Sequence, residues 1–421
     1  MKKLVFILIG FVPLLTPAQE VLTLEECYAL VEKNYPLATK AKLLEEKANF
    51  DIKVLEKDRL PKLDINAQAT YQSDVIEFPG DIPNANFETP NKDQYRATMD
   101  ANQLIYNGGS IAARASLKNA EMKTLQQEVA VNLYELKGRI NKNYFNVLLF
   151  QEQINLLQSK MEQLEARVKE VESGVKYGAV LASSQQVLQA EILKLEQQVT
   201  EADFTRIKAL NHLSQLLATN LNERTNLVKP NIFINVTNDS DRPEVKLFEL
   251  QQQQLETSKT VIEKANYPKL LGFAQAGYGN PGLNMLENSF EDFYMVGLKV
   301  NWNIFDWGKT KQQKKAVDIS KEMITTEKET FKLNNSINIK EAMSEINKYR
   351  ELLQSDSGII EMRKKVLEAT TVQFQNGAIT SSEYITELNN LYEAEINQDL
   401  HEVQLLLAKA NYKMIKGDLN Q

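Results

Sequence analysis

The hexapeptide Gly-Tyr-Gly-Asn-Pro-Gly, Gly277–Gly282, has the spacing of a dinucleotide-binding loop. Such a loop must open a helix directly after a strand, so that helix-end amides meet a pyrophosphate. Here a proline and then another alternating segment follow, so the stretch reads as a hairpin turn. His212 and His401 could ligate a metal, but each stands alone in a helical stretch with no HExxH spacing or cysteine partner. Cys27 is the only cysteine; it makes no intramolecular disulfide and reads as a small apolar helix residue, not a lipid-anchor site. No GxSxG nucleophile motif is present. Asn235 and Asn238 stand in short N-x-S/T triplets, a weak glycosylation pattern. No acid, base or metal cluster occurs at useful spacing, so no catalytic residue, cofactor site or metal site is assigned and an enzyme is disfavoured.

Hydrophobic residues make up 43% of the 421-residue chain and charged ones 25%, which suits a folded protein. A net charge of −7 without a basic block argues against a nucleic-acid partner. The first 18 residues have the form of a secretory signal: Lys2 and Lys3, an apolar run from Leu4 to Leu15, then Thr16-Pro17-Ala18. That run is shorter than the ~20 residues a membrane helix needs.

The chain is written twice. Gly109 in LIYNGGS matches Gly308 in NIFDWGK, and Gly178 matches Gly377, both 199 positions apart. Upstream the offset is 207: Pro36 matches Pro243, LPKL at Leu60 matches YPKL at Tyr267, and AQATY at Ala67 matches AQAGY at Ala274. The shortfall falls in the Pro-rich stretch EFPGDIPNANFETPNK of the first copy. The expected organisation is a signal over 1–18, a first repeat over 19–224, a linker over 225–242 and a second repeat over 243–421. Each repeat is expected to run helix, strand, strand, long helical hairpin. The strands are placed at 62–73 and 94–106, then 269–278 and 293–305. The hairpins are placed at 110–224 with its tip at Gly178, and at 309–416 with its tip at Gly377.

The strands alternate. Leu63, Ile65, Ala67, Ala69 and Tyr71 share one face, with Asp64 and Asn66 on the other. Tyr95, Ala97, Met99 and Ala101 oppose Arg96 and Asp100; Tyr294, Val296, Leu298 and Val300 oppose Lys299. Leu271 and Phe273 break the pattern by falling on the polar phase. This alternation fits a soluble sandwich with one wet face. It also fits strands long enough to cross a bilayer, with Asp64, Asn66, Arg96, Asp100 and Lys299 facing a wet lumen. Four strands cannot close a membrane barrel, so sister copies would have to supply eight, twelve or sixteen in all.

In the helical stretches, Ile154, Leu157, Met161, Leu164, Val168 and Val171 form a heptad seam before Gly178, and Leu188, Ile192, Leu195, Val199 and Ala202 form another after it. Leu353, Ile360, Leu367 and Phe374 repeat the seam up to Gly377. Two seams flanking a glycine predict an antiparallel hairpin whose tip turns at that glycine. The tips carry small and apolar residues, Gly178, Ala179, Val180 and Leu181, and Gly377, Ala378, Ile379 and Thr380, which suit partner docking.

Taken together, the opening LTLEECYALVEKNYPLATKAK, the two PKL strand starts, LIYNGG, NIFDWGK and the two glycine tips resemble the TolC family of outer-membrane efflux proteins over almost all of the mature chain. The resemblance implies a mainly α fold with a small β part: a homotrimer with a twelve-stranded barrel in the lipid of the outer membrane, continuous with a long periplasmic α-barrel. It implies a passive gated conduit for efflux or type I secretion, whose tips meet a periplasmic adaptor and an inner-membrane pump. It also implies an acidic constriction at two positions beyond the second tip, here Glu383 and Thr386; only the first is acidic, and Glu387 adjoins the second. The alternative is a soluble periplasmic coiled-coil scaffold or adaptor. An adaptor carries one hairpin and separate β domains, whereas here both hairpins and both strand pairs lie in one duplicated unit.

Overall fold

The computed structural model describes residues 21–76, 89–178, 180–234 and 242–418. The signal segment, most of the Pro-rich loop, Ala179 and the two glycosylation triplets lie outside the described residues. In chain order the elements are β1 (Val21–Leu22), α1 (Leu24–Asn34), α2 (Pro36–Lys57), β2 (Lys62–Tyr71), β3 (Asp93–Tyr106), α3 (Ser110–Lys176) and α4 (Ala182–Leu216). Then come β4 (Asn226–Leu227), α5 (Pro243–Ala265), β5 (Lys269–Asn280), β6 (Glu291–Asn301), α6 (Lys309–Gln375) and α7 (Ser381–Lys416). Among the described residues no helix is long and apolar enough to cross a membrane.

Two compact units emerge, and each draws on both repeats. A sheet unit takes in Lys40–Val129 and Glu244–Thr330; a hairpin unit takes in the described remainder. In the sheet unit four antiparallel strands run in the order β2-β3-β5-β6, leaving β2 and β6 at the edges. β6 ends at Asn301, short of the expected 305, because its last partner is Lys269, the first residue of β5. Beyond that pair the backbone of Trp302–Phe305 has no ladder to join. Asp306 then caps the corner into α6, accepting from the backbone N–H groups of Gly308 and Thr310 at 2.9 Å each and from the Asn266 amide at 2.9 Å. The Thr310 hydroxyl, which also donates to it, leads these donors in holding the Asp306 carboxyl down at about 2. In the first repeat Asn107 does the same for Gly109 at 3.1 Å. A ladder of ion pairs, Lys314–Glu263, Lys321–Glu256 and Lys328–Glu249, ties α5 to α6.

In the hairpin unit the heptad seams pack as their spacing requires. Leu157, Leu164, Leu188 and Leu195 are fully buried in one cluster, which also takes in Tyr384, Ile385 and Leu388 of α7. α4 stops at Leu216, before the expected 224, since Ala218 turns left-handed at φ 47° and the Thr219 N–H bonds back to the Ser214 carbonyl. A second core surrounds β1 and β4, which pair in parallel. Tyr144 sits fully buried there and donates its hydroxyl to the carbonyls of Leu22 at 3.0 Å and Val228 at 2.7 Å, joining the N-terminal strand to the linker. Two-residue strands carry no periodicity, which is why sequence pattern misses β1.

Removing that hydroxyl leaves two carbonyls at the β1–β4 junction without their shared donor. Tyr144→Phe should destabilise the protein by about 1–2 kcal/mol, read as a lowered midpoint in thermal unfolding of the purified protein.

Candidate functional site

The sheet has two unlike faces. On one, Leu63, Ile65, Met99, Tyr294, Val296 and Leu298 are exposed in the single chain, Val296 at 70%. Tyr278 of β5 shares that face, in register with Ala97, and is exposed as well. A contiguous apolar surface of this kind costs free energy in water and marks a contact.

The other face is polar and internally bonded. Asp100 accepts from the Asn66 amide at 2.7 Å, the Gln275 amide at 2.6 Å and the Thr98 hydroxyl at 3.0 Å, so three strands meet at one carboxylate. Of the five predicted lumen residues the structure brings Asn66 and Asp100 together. Arg96 lies 5.4 Å over the Phe293 ring instead. Asp64 and Lys299 share the polar face by register, and neither makes an ion pair among the described residues. Gln275 was the overlooked member; its place in the polar phase of β5 was the available signal. Phe273 and Phe293, also on this face, lie over Gly297 and Gly277, where a Cβ would come within 2.6 and 2.5 Å of the respective rings. Aromatic residues of the wet face are thus folded down onto glycines, which accounts for the break in alternation at Phe273.

At the tips, Gly178 and Gly377 adopt φ of 73° and 69°, the left-handed turn a side chain disfavours. The Gly377 and Ala378 N–H groups bond back to Phe374 and Gln373, closing the end of α6. A groove of about 600 Å³ is lined by Val180, Leu181, Phe374, Ile379 and Ser381, so the two tips lie side by side. Leu181 is 75% exposed. Ala179 lies outside the described residues.

The two acidic residues beyond the second tip are both engaged. Thr380 caps α7: its hydroxyl accepts from the Glu383 N–H at 3.3 Å, and the Glu383 carboxylate accepts from the Thr380 N–H at 2.8 Å and hydroxyl at 2.9 Å. Glu387 pairs with Arg363 of α6 at 3.4 Å. Deeper in the same unit Lys160 of α3 is buried against three side chains from two helices. Its ammonium lies 3.7 Å from Glu191 of α4, 2.5 Å from the Asn389 carbonyl oxygen and 4.3 Å from the Tyr392 ring centre, both of α7. Burial pushes that ammonium down to about 8, against the pull of Glu191. A lysine beside a heptad seam reads as solvent-facing, so sequence reasoning missed this tie. Among the described residues no group of three or more His, Cys, Asp or Glu side chains could hold a metal ion.

Residues 28–219 match the family described as outer membrane efflux protein. The fold extends the likeness through the second repeat. The outer membrane protein VceC of Vibrio cholerae aligns over 94% of this chain and 96% of its own, with a TM-score of 0.63 and 13% identity. The CmeC outer membrane channel of Campylobacter jejuni aligns over 94% and 85%, with a TM-score of 0.62 and 16% identity. The open state of the MtrE outer membrane channel of Neisseria gonorrhoeae aligns over 94% and 89%, with a TM-score of 0.64 and 17% identity. No protein of curated function matches the chain in sequence. The chain therefore has the fold of these outer-membrane channels, in keeping with the resemblance carried by its glycine tips and strand starts.

The capping box at the second tip titrates. Thr380, first through its backbone N–H and then through its hydroxyl, holds the Glu383 carboxyl below its ordinary range. A carboxyl depressed on folding stabilises the folded tip above its unfolded range, and that contribution is lost as pH falls through the folded value. Amide exchange across 376–384 should accelerate on acidification through the carboxylate range. Thr380→Ala should raise it roughly three- to tenfold at neutral pH and flatten the pH response.

Proposed function

We propose that the chain is the channel subunit of a tripartite efflux or type I secretion system, a passive conduit driven by a partner pump. One observation carries this reading: the exposed apolar face belongs to a four-stranded sheet whose two edges are bare. In hydrocarbon each bare backbone group costs several kcal/mol, so the sheet can occupy a membrane only as part of a closed barrel. Three copies supply twelve strands, and the apolar face then meets the lipid of the outer membrane while the Asp100 network lines the lumen. The helical hairpins extend into the periplasm.

The tips around Gly178 and Gly377 dock a periplasmic adaptor, which links the conduit to an inner-membrane pump. Support comes from their local chemistry. The second turn bonds its own backbone groups, and the groove beside it presents the exposed Leu181 together with the half-buried Ile379. With Glu383 engaged by Thr380 and Glu387 by Arg363, gating by these carboxylates would require those bonds to break.

Two outcomes test the reading. Val296→Arg places a charge on the lipid face and should cost about 2–4 kcal/mol near the bilayer midplane, so the protein should be lost from the carbonate-resistant membrane fraction. Asn66→Lys, on the polar face beside Asp100, should stay in that fraction; equal loss of both would count against a barrel. For docking, Leu181→Glu combined with Ile379→Glu should abolish export while leaving the amount of assembled membrane protein unchanged, measured by efflux assay and by blotting.

A further inference from the structure

The two repeats meet once inside the chain, where β3 of the first pairs with β5 of the second. That seam has a defined register: Ala101 lies opposite Ala274, Asp100 opposite Gln275 and Met99 opposite Ala276. At its foot Gly108, at φ 64°, is pressed against Tyr267; a Cβ on Gly108 would lie 2.3 Å from the Tyr267 Cβ. Every position in this seam has a counterpart in the other repeat, 199 residues on from β3 or 207 residues back from β5. The counterpart seam would join β6 to β2, and within one chain those are the two unpaired edges.

We infer that β6 pairs with β2 of a second copy of this chain in the register that sets Val300 opposite the partner's Ala67, Lys299 opposite the partner's Gln68 and Leu298 opposite the partner's Ala69, with Trp307 seated on the partner's Leu60. The inference rests on the channel reading and goes further by fixing which residues meet. Strand direction permits it, because all neighbours in the sheet are antiparallel and β6 therefore runs opposite to β2. Face polarity permits it too: Val300 and Leu298 belong to the exposed apolar face with Ala67 and Ala69, while Lys299 and Gln68 belong to the polar one. The Gln275 amide donates to Asp100 across the internal seam at 2.6 Å. At the counterpart positions the Lys299 ammonium meets an amide oxygen of the partner's Gln68, so donor still faces acceptor.

Polarity alone would also allow a slip of two residues, and the corner removes that freedom. Where the internal seam places Gly108 against Tyr267, the counterpart residues are Trp307 and Leu60. The large residue has changed sides: glycine and tyrosine inside the chain become tryptophan and leucine between chains. Trp307 is 89% exposed and holds φ 55°, a conformation costly for a bulky residue unless its surroundings fix it. Beside it Gly308, at φ 78°, has no atom within 4 Å of where a Cβ would stand. Leu60 is exposed at 57%. Both halves of the contact are therefore present on one chain and unmet there.

The test uses full-length protein in detergent, with Cys27→Ala as background. Leu298→Cys with Ala69→Cys, and Val300→Cys with Ala67→Cys, should give cross-linked oligomers on mild oxidation, since directly opposed Cβ atoms lie ~4.5–5.5 Å apart. The slipped pairs Leu298→Cys with Ala67→Cys, and Leu298→Cys with Tyr71→Cys, should give at least about tenfold less, because diagonal neighbours stand ~7–8 Å apart. Stronger cross-linking by a slipped pair overturns the register and leaves the channel intact. No cross-link in a particle that native mass spectrometry shows to be oligomeric overturns the strand interface. No cross-link in a monomer overturns the channel reading with it. As a second measurement independent of cysteine, Trp307→Gly should lower the temperature at which the oligomer dissociates in detergent. Adding Leu60→Tyr, which recreates the internal pair, should restore it; absence of rescue counts against the corner contact.

Discussion

A backbone amide or carbonyl with no partner costs several kcal/mol in hydrocarbon, and β2 and β6 each expose a full edge of them. The rest of the sheet unit follows from that constraint. In the proposed channel, closure of the sheet calls on neighbouring copies, and the period-two alternation would then turn one face to lipid and one to water. On the apolar face Ala67, Ala97 and Ala274 stand beside Val296 and Leu298. The watery side cannot leave its polar groups to chance. Asp100 is engaged by side chains of three strands, and Phe273 and Phe293 are laid flat on glycines so that neither ring stands free.

The hairpins solve a different problem, that of holding a tight turn at the end of 67-residue helices. Buried leucines every seventh residue supply the stiffness. Lys160 adds direction, since its partners on α4 and α7 bind the first hairpin to the second at one level. At the tips the helix ends close on themselves through left-handed glycines and the Thr380–Glu383 box.

Much of this was legible in the sequence where a single physical rule acts alone. Period-two alternation marked all four long strands, and the need for positive φ marked Gly178 and Gly377. Where two rules compete, sequence misled. Phe273 broke the alternation because a ring on the wet face needs Gly297 beneath it, and that pairing lies across strands. Glu383, which the resemblance places at a constriction, also completes the capping pattern Thr380-Ser-Ser-Glu383, and in the single chain its carboxylate is bonded to Thr380. The β1–β4 pair and the Lys160 tie left no periodic trace, because each is a single tertiary contact between distant segments.

The duplication itself separates what a position needs locally from what its neighbour imposes. Gly109 and Gly308 keep glycine at φ of 82° and 78°, and the tip glycines keep it at 73° and 69°, because in both repeats the turn alone demands it. One residue earlier the turn demands the same left-handed backbone, yet glycine is kept at 108 and lost at 307. The difference cannot lie in the turn. At 108 it lies in Tyr267, which leaves no room for a Cβ. At 307 the counterpart of that neighbour, Leu60, stands at the far edge of the sheet, and a tryptophan that meets only the edge of the Phe305 ring among the described aromatic contacts occupies a conformation that local energetics oppose. A residue held against its own backbone preference, at a site whose twin is dictated by packing, is explained by packing of the same kind.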